Sequence, residues 1–361
     1  MLGAGKLEAE SGHSTDDGIG WYMDKQELNS FEQDKIEWRQ FCETEPSVTI
    51  YQQPWYWDAV CDHPDDWRVI LIKKDGTIEA AFPFVYRQHH FIWYIETPWQ
   101  VPASGIWMRK RREDFRSIEA DFVYLKEIID AVVEQLPYFD SFQVGFNSRL
   151  WSWQPFYWHG FEATLHYTMI VSPKPIEQIK MQCSKSRRRR LNKAEREYQL
   201  SVDETSAEEF WAFFQKTYME RGMNISFSKE KFIYFFNMAK AHHVLQVRSI
   251  TDKDRVLAAN IVLSDHGRFY HQFVAQFKDK DKDASALAVY DAICTAMREG
   301  KIFDFEGSMI PGVAQFNLSF NPEYEILYSI SKETARFKVY SFFWKVKEFL
   351  FGKCFGRKHI E

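Results

Sequence analysis

The chain has few cysteines and no close pair of them. Its five cysteines (Cys42, Cys61, Cys183, Cys294 and Cys354) are odd in number and far apart, and no C-x-x-C pair occurs. This spacing argues against a metal site or a redox couple built on cysteine. The sequence therefore predicts free thiols, as in a reducing cytoplasm, and no metal.

Long apolar runs are also missing. No stretch approaches the roughly 20 apolar residues that cross a bilayer, and the N-terminus lacks the basic start and apolar stretch of a signal peptide. Residues 1–22 are rich in Gly, Ser and acidic residues, which predicts a flexible leader before a second candidate start at Met23. The interpretation is a cytoplasmic protein without a transmembrane segment.

Common signatures are missing too, whereas aromatic residues are abundant. No Gly-x-Ser-x-Gly motif, P-loop or dinucleotide fingerprint occurs, and a net charge of −5 gives no reason to expect nucleic acid across the whole surface. Aromatic residues make up 17% of the chain, which favours strands and cores built on Phe, Trp and Tyr. A length of 361 residues predicts two domains.

Two parts of the chain show the same predicted order of three strands, a helix and a further strand. In the first part, two strands flank Asp75-Gly76, followed by a strand to 95, a helix over 117–136 and a strand at 142–146. The second part gives strands at 244–250, 256–263 and 268–277, a helix at 284–298 and a strand at 301–305. The predicted class is α/β (α+β): tandem domains at 23–172 and 173–335, each a mixed, mainly antiparallel sheet flanked by helices, followed by a basic segment at 336–361.

The end of the last strand in the second part carries two carboxylates. Asp304 and Glu306 lie two apart, so they share one face of a strand, whereas Phe303 and Phe305 share the other and pack into the core. Such a pair could deprotonate or hold an amine. The alternative is a solvated strand end with a glycine turn. Gly307 and Ser308 follow directly.

The preceding strand, 268–277, should border a split in the sheet. It contains Tyr270, His271 and Gln272, and His271 is a candidate third catalytic group, although a lone strand histidine is more often part of the core or surface. The first turn of the next helix could hold a phosphate or a thioester carbonyl. The loop at 278–283 alternates Lys and Asp and lacks a glycine-rich pyrophosphate signature.

A basic run opens the second part of the chain. Seven of the twelve residues from 185 to 196 are Lys or Arg, and the candidate substrate-binding residues are Arg187, Arg188, Arg190, Asn192 and Lys193. Such density attracts phosphate, for example of a tRNA backbone, a nucleotide-linked sugar or a pyrophosphate carrier. The alternative is a solvated basic helix.

The C-terminal segment 336–359 mixes aromatic residues with lysines. It could dock peripherally on an anionic membrane face, or it could be a helix that packs on its own domain.

Two of these segments resemble motifs of a known family. Residues 186–196 are similar to the opening of the second domain in FemABX-like aminoacyltransferases, and residues 303–309, with Gly312 and Phe316, are similar to their end-of-strand motif. The likeness extends over about residues 45–330 and includes the related CelD-like acetyltransferases of the GNAT superfamily. The resemblance implies a tandem GNAT fold and transfer of an acyl or aminoacyl group to an amine.

The functional hypothesis is therefore an acyltransferase acting on an amine of a cell-envelope or sugar-linked acceptor. Asp304, Glu306 and His271 are the catalytic candidates, while Tyr270, Gln272, Gly307, Ser308 and the basic run are the substrate-binding candidates. The resemblance implies acyl-CoA or aminoacyl-tRNA as the donor, and the choice between them stays open. The chain lacks the pyrophosphate signature, which argues against coenzyme A, and it lacks a long coiled-coil insertion, which argues against a charged tRNA. The alternatives are a catalytically inactive tandem-GNAT module in polysaccharide or envelope assembly, and direct RNA binding.

Overall fold

The structure is a computed structural model that describes residues 25–98, 100–277, 282–308 and 310–351, with the backbone alone at 25–30, 282 and 347–351. The predicted leader at 1–22 and the end of the C-terminal segment lie outside these residues. Within the described ranges, none of the helices combines the length and apolar character that a bilayer crossing requires.

The helices begin where the sequence offers capping residues. Ser117, Ser184, Ser206 and Ser228 each accept a hydrogen bond from a backbone N–H in the first turn of the helix that follows, and Ser206 forms a capping box with Glu209. The helices are α1 (Lys25–Cys42), α2 (Pro54–Val60), α3 (Ile118–Glu134), α4 (Gln154–Trp158), α5 (Ile176–Gln182), α6 (Lys185–Glu197), α7 (Ala207–Glu220), α8 (Lys229–Ala241), α9 (Lys282–Arg298), α10 (Pro311–Leu318) and α11 (Ala335–Phe351).

The strands form one continuous sheet. They are β1 (Trp67–Lys74), β2 (Thr77–His89), β3 (Ile92–Glu96), β4 (Trp107–Met108), β5 (Ser141–Phe146), β6 (Glu162–Val171), β7 (Gln199–Val202), β8 (Leu245–Asp252), β9 (Arg255–Ser264), β10 (Arg268–Gln276), β11 (Ile302–Asp304) and β12 (Glu323–Glu333). Their order in space is β1-β2-β3-β5-β12-β6-β11-β10-β9-β8-β7, and β4 pairs with β2.

The predicted repeat is present as an order of elements. Two helices, a three-stranded antiparallel run, a helix, a strand, a short helix and a final strand occur first from α1 to β6 and again from α7 to β12. The predicted class of tandem, mixed and mainly antiparallel sheets is therefore confirmed.

The two halves exchange their last strands. Strand β6 pairs with β11 of the second half, β12 pairs with β5 of the first half, and β6 and β12 pair with each other from Glu323↔Ile170 to Ser331↔Glu162. Each half thus completes the sheet of the other. The boundary between 172 and 173, placed directly after β6, stays a prediction.

Successive side chains along each strand point to opposite faces of the sheet, and both faces are packed against helices. In β1, Trp67, Val69 and Leu71 join a core with α1, α2, α7 and α8, whereas Ile70 joins a core with α3. In the second half, Phe303 and Phe305 pack into the core as predicted, together with α9 and on the face that α3 covers in the first half. The face under α1, α2, α7 and α8 is the one where both halves meet.

Candidate active site

A split opens in the second half of the sheet. Strands β10 and β11 are parallel partners only from Arg268↔Ile302 to Tyr270↔Asp304, because β11 ends while β10 continues to Gln276. The edge of β10 beyond Tyr270 therefore lacks a strand partner on this side. A bulge falls at the same place, since His271 pairs with Val262 and Phe273 with Ile261, which leaves Gln272 unpaired.

The corresponding split in the first half is filled by the chain itself. The residues between β3 and α3 return across β5, where the Gly145 N–H donates to Thr97 Oγ1 (2.9 Å) and the Gly105 N–H donates to the Gly145 carbonyl (3.1 Å). A Cβ at Gly145 would overlap the carbonyl oxygen of Pro102. In the second half, β10 ends at Gln276 and α9 begins at Lys282, so the connection is too short for such a crossing.

Glu306 lies just beyond the end of β11. Its backbone has φ of 60°, a left-handed conformation that costs energy for a residue with a Cβ. Its Oε1 atom is buried without a hydrogen-bond partner, and burial raises the pKa of the carboxyl from 4.5 to about 8. An unpaired carboxyl with such a pKa can accept a proton near neutral pH.

Asp304 is held by three donors. Its carboxylate accepts hydrogen bonds from Thr168 Oγ1, from Arg268 Nη1 (2.6 Å) and from the backbone N–H of Glu306 (2.8 Å). Burial raises the pKa of Asp304, and these donors oppose the rise. Arg268 in turn is bidentate to Glu325 of β12 (2.8 and 3.1 Å). The carboxylate of Asp304 is thus engaged, and its contact with the Glu306 N–H positions the neighbouring residue.

Gly307 fixes the turn after Glu306. It has φ of 61°, and a Cβ there would overlap the backbone oxygen of Tyr167 in β6. Only glycine allows both this conformation and this close approach. Ser308 follows, and its Oγ accepts from the Ile310 N–H (3.1 Å).

Two adjoining cavities meet at Glu306. One, of about 90 Å³, is enclosed by the Asp304–Arg268 cluster together with Tyr51 and Tyr270. The other, of about 400 Å³, lies between the halves and over the β6–β12 pair. It is lined by Glu96, Thr97, Pro102, Gln143, Gly145, His166, Tyr167, Glu306, Gly307, Ser308, Leu327, Tyr328 and Ser329. These residues include two carboxylates and several hydroxyls, and among them is no Lys or Arg.

Tyr270 and Gln272 anchor the second half to the first. The Tyr270 ring meets Tyr51 edge-on (4.8 Å), and its hydroxyl donates to Asp265 (2.9 Å). The Gln272 side chain accepts from the Tyr51 hydroxyl (2.8 Å) and donates to Gln100 (2.6 Å). The bulge that borders the split is therefore held from the first half.

His271 lies on the opposite face from the two carboxylates. The register Tyr270↔Asp304 places those residues on one face, and His271 instead contacts Asn260 (Nε2 to Nδ2, 3.0 Å) and the Phe303 ring under α9. Burial lowers the pKa of His271 to about 4, so the imidazole is neutral at physiological pH. The structure does not bring His271 together with Asp304 and Glu306.

The basic run forms α6, and none of its residues lines either cavity at Glu306. Arg187 is buried: its guanidinium stacks over Phe316 (4.5 Å) and Phe320 (4.9 Å), and its Nε donates to Ser319 (2.7 Å). Arg190 approaches Asp283 (3.8 Å), and Lys193 approaches Glu197 (3.5 Å). Lys185, Ser186, Arg188, Arg189 and Asn192 line an open depression of about 710 Å³ on the surface. A substrate could reach this exposed side of α6, but Arg187 faces the protein interior.

A second cleft between the halves, of about 680 Å³, has Trp55 stacked on His242 (4.5 Å) in its wall. It is lined by two carboxylates. Asp265 accepts from Ile50, Gly267, Arg268 and Tyr270, and Glu43 is exposed to solvent. Neither is a buried, unpaired carboxyl like that of Glu306. Within the described ranges, no group of three or more His, Cys, Asp or Glu side chains is arranged to hold a metal ion.

Three residues at the site were not predicted from the sequence: Thr168, Arg268 and Glu325. Arg268 shares a strand face with Tyr270 and Gln272, so alternation along the predicted strand could have identified it. Thr168 and Glu325 reach the site through the strand exchange, which no local pattern indicates.

A family model matches the part of the chain that contains the split. Residues 182–310 match the model described as the acetyltransferase (GNAT) domain, and they include β10, the split and Glu306. No curated protein sequence matches the chain.

Several solved structures share the fold over most of their length. FemX is similar with a TM-score of 0.57 and 11% identity, covering 81% of this chain and 95% of FemX. The C-terminal domain of a putative lysylphosphatidylglycerol synthetase from Agrobacterium fabrum has a TM-score of 0.52 and 10% identity, covering 88% and 96%. A protein of unknown function from Bacteroides thetaiotaomicron has a TM-score of 0.51 and 11% identity, covering 84% and 97%.

At such low identity these structures establish the fold alone, whereas the family model indicates the class of chemistry. The match of residues 182–310 to the GNAT acetyltransferase domain confirms the predicted resemblance to the GNAT superfamily and the predicted class of acyltransferase, and the chain as a whole has a fold similar to that of FemX.

Proposed function

We propose that the protein transfers an acyl group from a thioester in the β10–β11 split to an amine bound in the cavity beside Glu306. The observation that carries this proposal is the carboxyl of Glu306, which is unpaired, has a pKa raised to about 8, and borders both the split and the cavity. A group of this kind suits the role of general base.

In the proposed reaction, the amine loses a proton to Glu306 and attacks the thioester carbonyl. The new C–N bond forms as the C–S bond breaks, and the thiolate leaves and takes up a proton. The unpaired edge of β10 at Gln272 supplies backbone N–H groups for the oxyanion. Asp304 and Gly307 act as positioning residues, because Asp304 accepts from the backbone N–H of Glu306 and Gly307, the next residue, allows the chain to pass close to Tyr167.

The lining of the cavity suggests the kind of acceptor. The carboxyl oxygens of Glu96 and Glu306 can accept hydrogen bonds from an amine, and the hydroxyls of Thr97, Ser308 and Ser329 suit an acceptor rich in hydroxyl groups. An amino sugar or another sugar-linked amine of an envelope precursor has both features. The acceptor is proposed to bind here, and the exposed side of α6 is proposed to hold a phosphate that such a precursor carries, through Arg188, Asn192 and Lys193.

The family match favours an acyl-CoA donor, since GNAT domains commonly use one. Aminoacyl-tRNA is the second candidate, and the open basic depression on α6 is the observation that supports it. The four described cysteines are free, which fits the predicted cytoplasmic location.

The test is thiol release by the full chain. Acetyl-CoA is offered with free amino sugars and, as the matched control, with the same sugars already N-acetylated. We expect release only with the free amine, rising about tenfold per pH unit below pH 8 and levelling off above it. The proposal would be contradicted by thiol release that is equal with free and N-acetylated sugars. It would also be contradicted by a release rate that stays constant between pH 6 and 9.

The same assay separates the alternatives. Aminoacyl-tRNA replaces acetyl-CoA in a parallel arm, in which loss of the charged amino acid reports transfer. An inactive binding module would show a saturable thermal shift with glycans and no release with either donor. Direct RNA binding would give an affinity for uncharged tRNA that falls steeply with salt, again without turnover.

A further inference from the structure

The described side chains of the C-terminal helix α11 pack on the first half through one side. The Phe337 ring meets Tyr94 edge-on (5.9 Å), the Tyr340 ring meets Phe91 edge-on (5.3 Å), and the Arg336 guanidinium lies over Phe91 (5.3 Å). Tyr94 and Phe91 belong to or flank β3. This side accounts for the predicted packing of the segment on its own domain.

The other side of α11 is apolar and faces solvent. Val339, Phe342 and Phe343 keep 57%, 62% and 65% of their surface exposed. Their spacing of three and four residues puts them on one face of the helix. Lys338 and Lys345, seven residues apart, are also exposed and lie along the flank of this face. Exposed apolar side chains in such a contiguous set mark an interaction surface.

The size of the surface limits what can cover it. Among the described side chains, these three present on the order of 350 Å², well below the roughly 800 Å² that each partner contributes to a standard protein interface. A membrane has no such minimum, because a helix can insert a few aromatic side chains at the level of the headgroups while lysines meet anionic lipid. The flanking lysines give the charge complementarity for that surface.

We propose that the exposed face of α11, formed by Val339, Phe342 and Phe343 with Lys338 and Lys345, docks the protein on an anionic membrane surface. The helix lies in the plane of the interface with its Phe337–Tyr340 side against the protein. This inference concerns α11 alone and is independent of the proposed acyl transfer.

The test is co-sedimentation of the full chain with vesicles of phosphatidylcholine, with and without phosphatidylglycerol. We expect binding to the mixed vesicles that weakens as salt rises. Phe342→Ser together with Phe343→Ser should lower the partition coefficient at least about tenfold, and Lys338→Glu together with Lys345→Glu should remove the preference for the anionic vesicles. The matched control is Tyr234→Ser, which removes an exposed aromatic side chain of α8.

Three outcomes would overturn the proposal. They are no binding to anionic vesicles, an equal loss of binding in the Tyr234→Ser control, and a concentration-dependent dimer that the double phenylalanine variant abolishes. The last outcome would show that a second copy of the chain covers this face. Circular dichroism and thermal unfolding of each variant report whether the rest of the protein is intact, so that a loss of binding can be assigned to α11.

Discussion

The two halves of the sheet follow one plan and differ where the chemistry is proposed to occur. The last parallel pair is Glu96↔Gln143 in the first half and Tyr270↔Asp304 in the second. Two residues after each pair, the first half has Gly145 and the second half has Glu306. The glycine makes room for the chain that fills its split, whereas the glutamate stands beside a split that is left open.

This difference indicates how one repeat can specialise. The residues between β3 and α3 that occupy the first split also supply Gln100 and Pro102, which reach the second site. The first half therefore acts as a wall and an anchor for the second. A fold that is repeated does not require a site that is repeated.

The largest expected effect is on kcat, and it distinguishes the roles of the two carboxylates that line the shared cavity. Glu306→Gln removes the proposed base and should lower kcat by about 10²- to 10⁴-fold. Glu96→Gln changes a first-half carboxylate of the same cavity, one that is ion-paired with Arg87 (2.6 Å), and should mainly raise KM. Thiol release with purified variants measures both. Comparable losses of kcat in the two variants would argue against Glu306 as the base.

The second prediction compares Gly145 of the first half with Gly307 of the second half. Gly145→Ala and Gly307→Ala each force a Cβ onto a backbone oxygen, and each should cost about 2–4 kcal/mol of the free energy of unfolding. Only Gly307→Ala displaces the neighbour of Glu306, so only this variant should also lower kcat per folded molecule, by about tenfold or more. Chemical denaturation and activity are measured on the same samples. A normal kcat for folded Gly307→Ala would remove its assigned positioning role.

Much of this architecture could be predicted because it is local. The Asp75-Gly76 turn, the helix at 118–134 and the Ser206 capping box depend on neighbours in sequence, and so does the packing of Phe303 and Phe305. Backbone conformation and alternation are decided over a few residues, so a sequence pattern reports them directly.

The roles within the site could not be predicted, because they depend on distant partners. Asp304 and Glu306 look alike in sequence, yet the Asp304 carboxylate accepts from Arg268 and Thr168, whereas Oε1 of Glu306 is buried without a hydrogen-bond partner. Similarly, Arg187 belongs to a basic run, and only the fold shows that Phe316 and Phe320 enclose it. The sign and size of a pKa shift follow from such contacts and from burial, neither of which a strand-end pattern contains.

The third prediction concerns stability and pH at Glu306. The pKa of this carboxyl is about 8 in the folded protein against 4.5 in the unfolded chain, so between these values the folded state holds a proton that the unfolded state has lost. The free energy of unfolding should therefore fall as pH rises from 4.5 to 8, and Glu306→Gln should lack this contribution. We expect the variant to match the wild type near pH 4.5 and to exceed it at pH 9 by on the order of 2 kcal/mol. The matched Glu96→Gln variant should show no such gain, and a gain in both would point to a general charge effect.

The smallest expected effect tests whether the first half holds the bulge of the second. Tyr51→Phe removes the hydroxyl that donates to Gln272, and Tyr56→Phe removes one that donates to the Gln100 carbonyl, both at 2.8 Å. Each should cost about 1 kcal/mol of stability. Tyr51 contacts Gln272, which lies on the bulge beside the split, so Tyr51→Phe should lower kcat about threefold at unchanged KM. Tyr56 contacts Gln100, which lies outside the bulge, so Tyr56→Phe should not change kcat. Equal effects of the two variants on kcat would mean that the hydrogen bond from Tyr51 to Gln272 stabilises the fold without affecting catalysis. The functional difference between the halves would then lie in Glu306 and the open split.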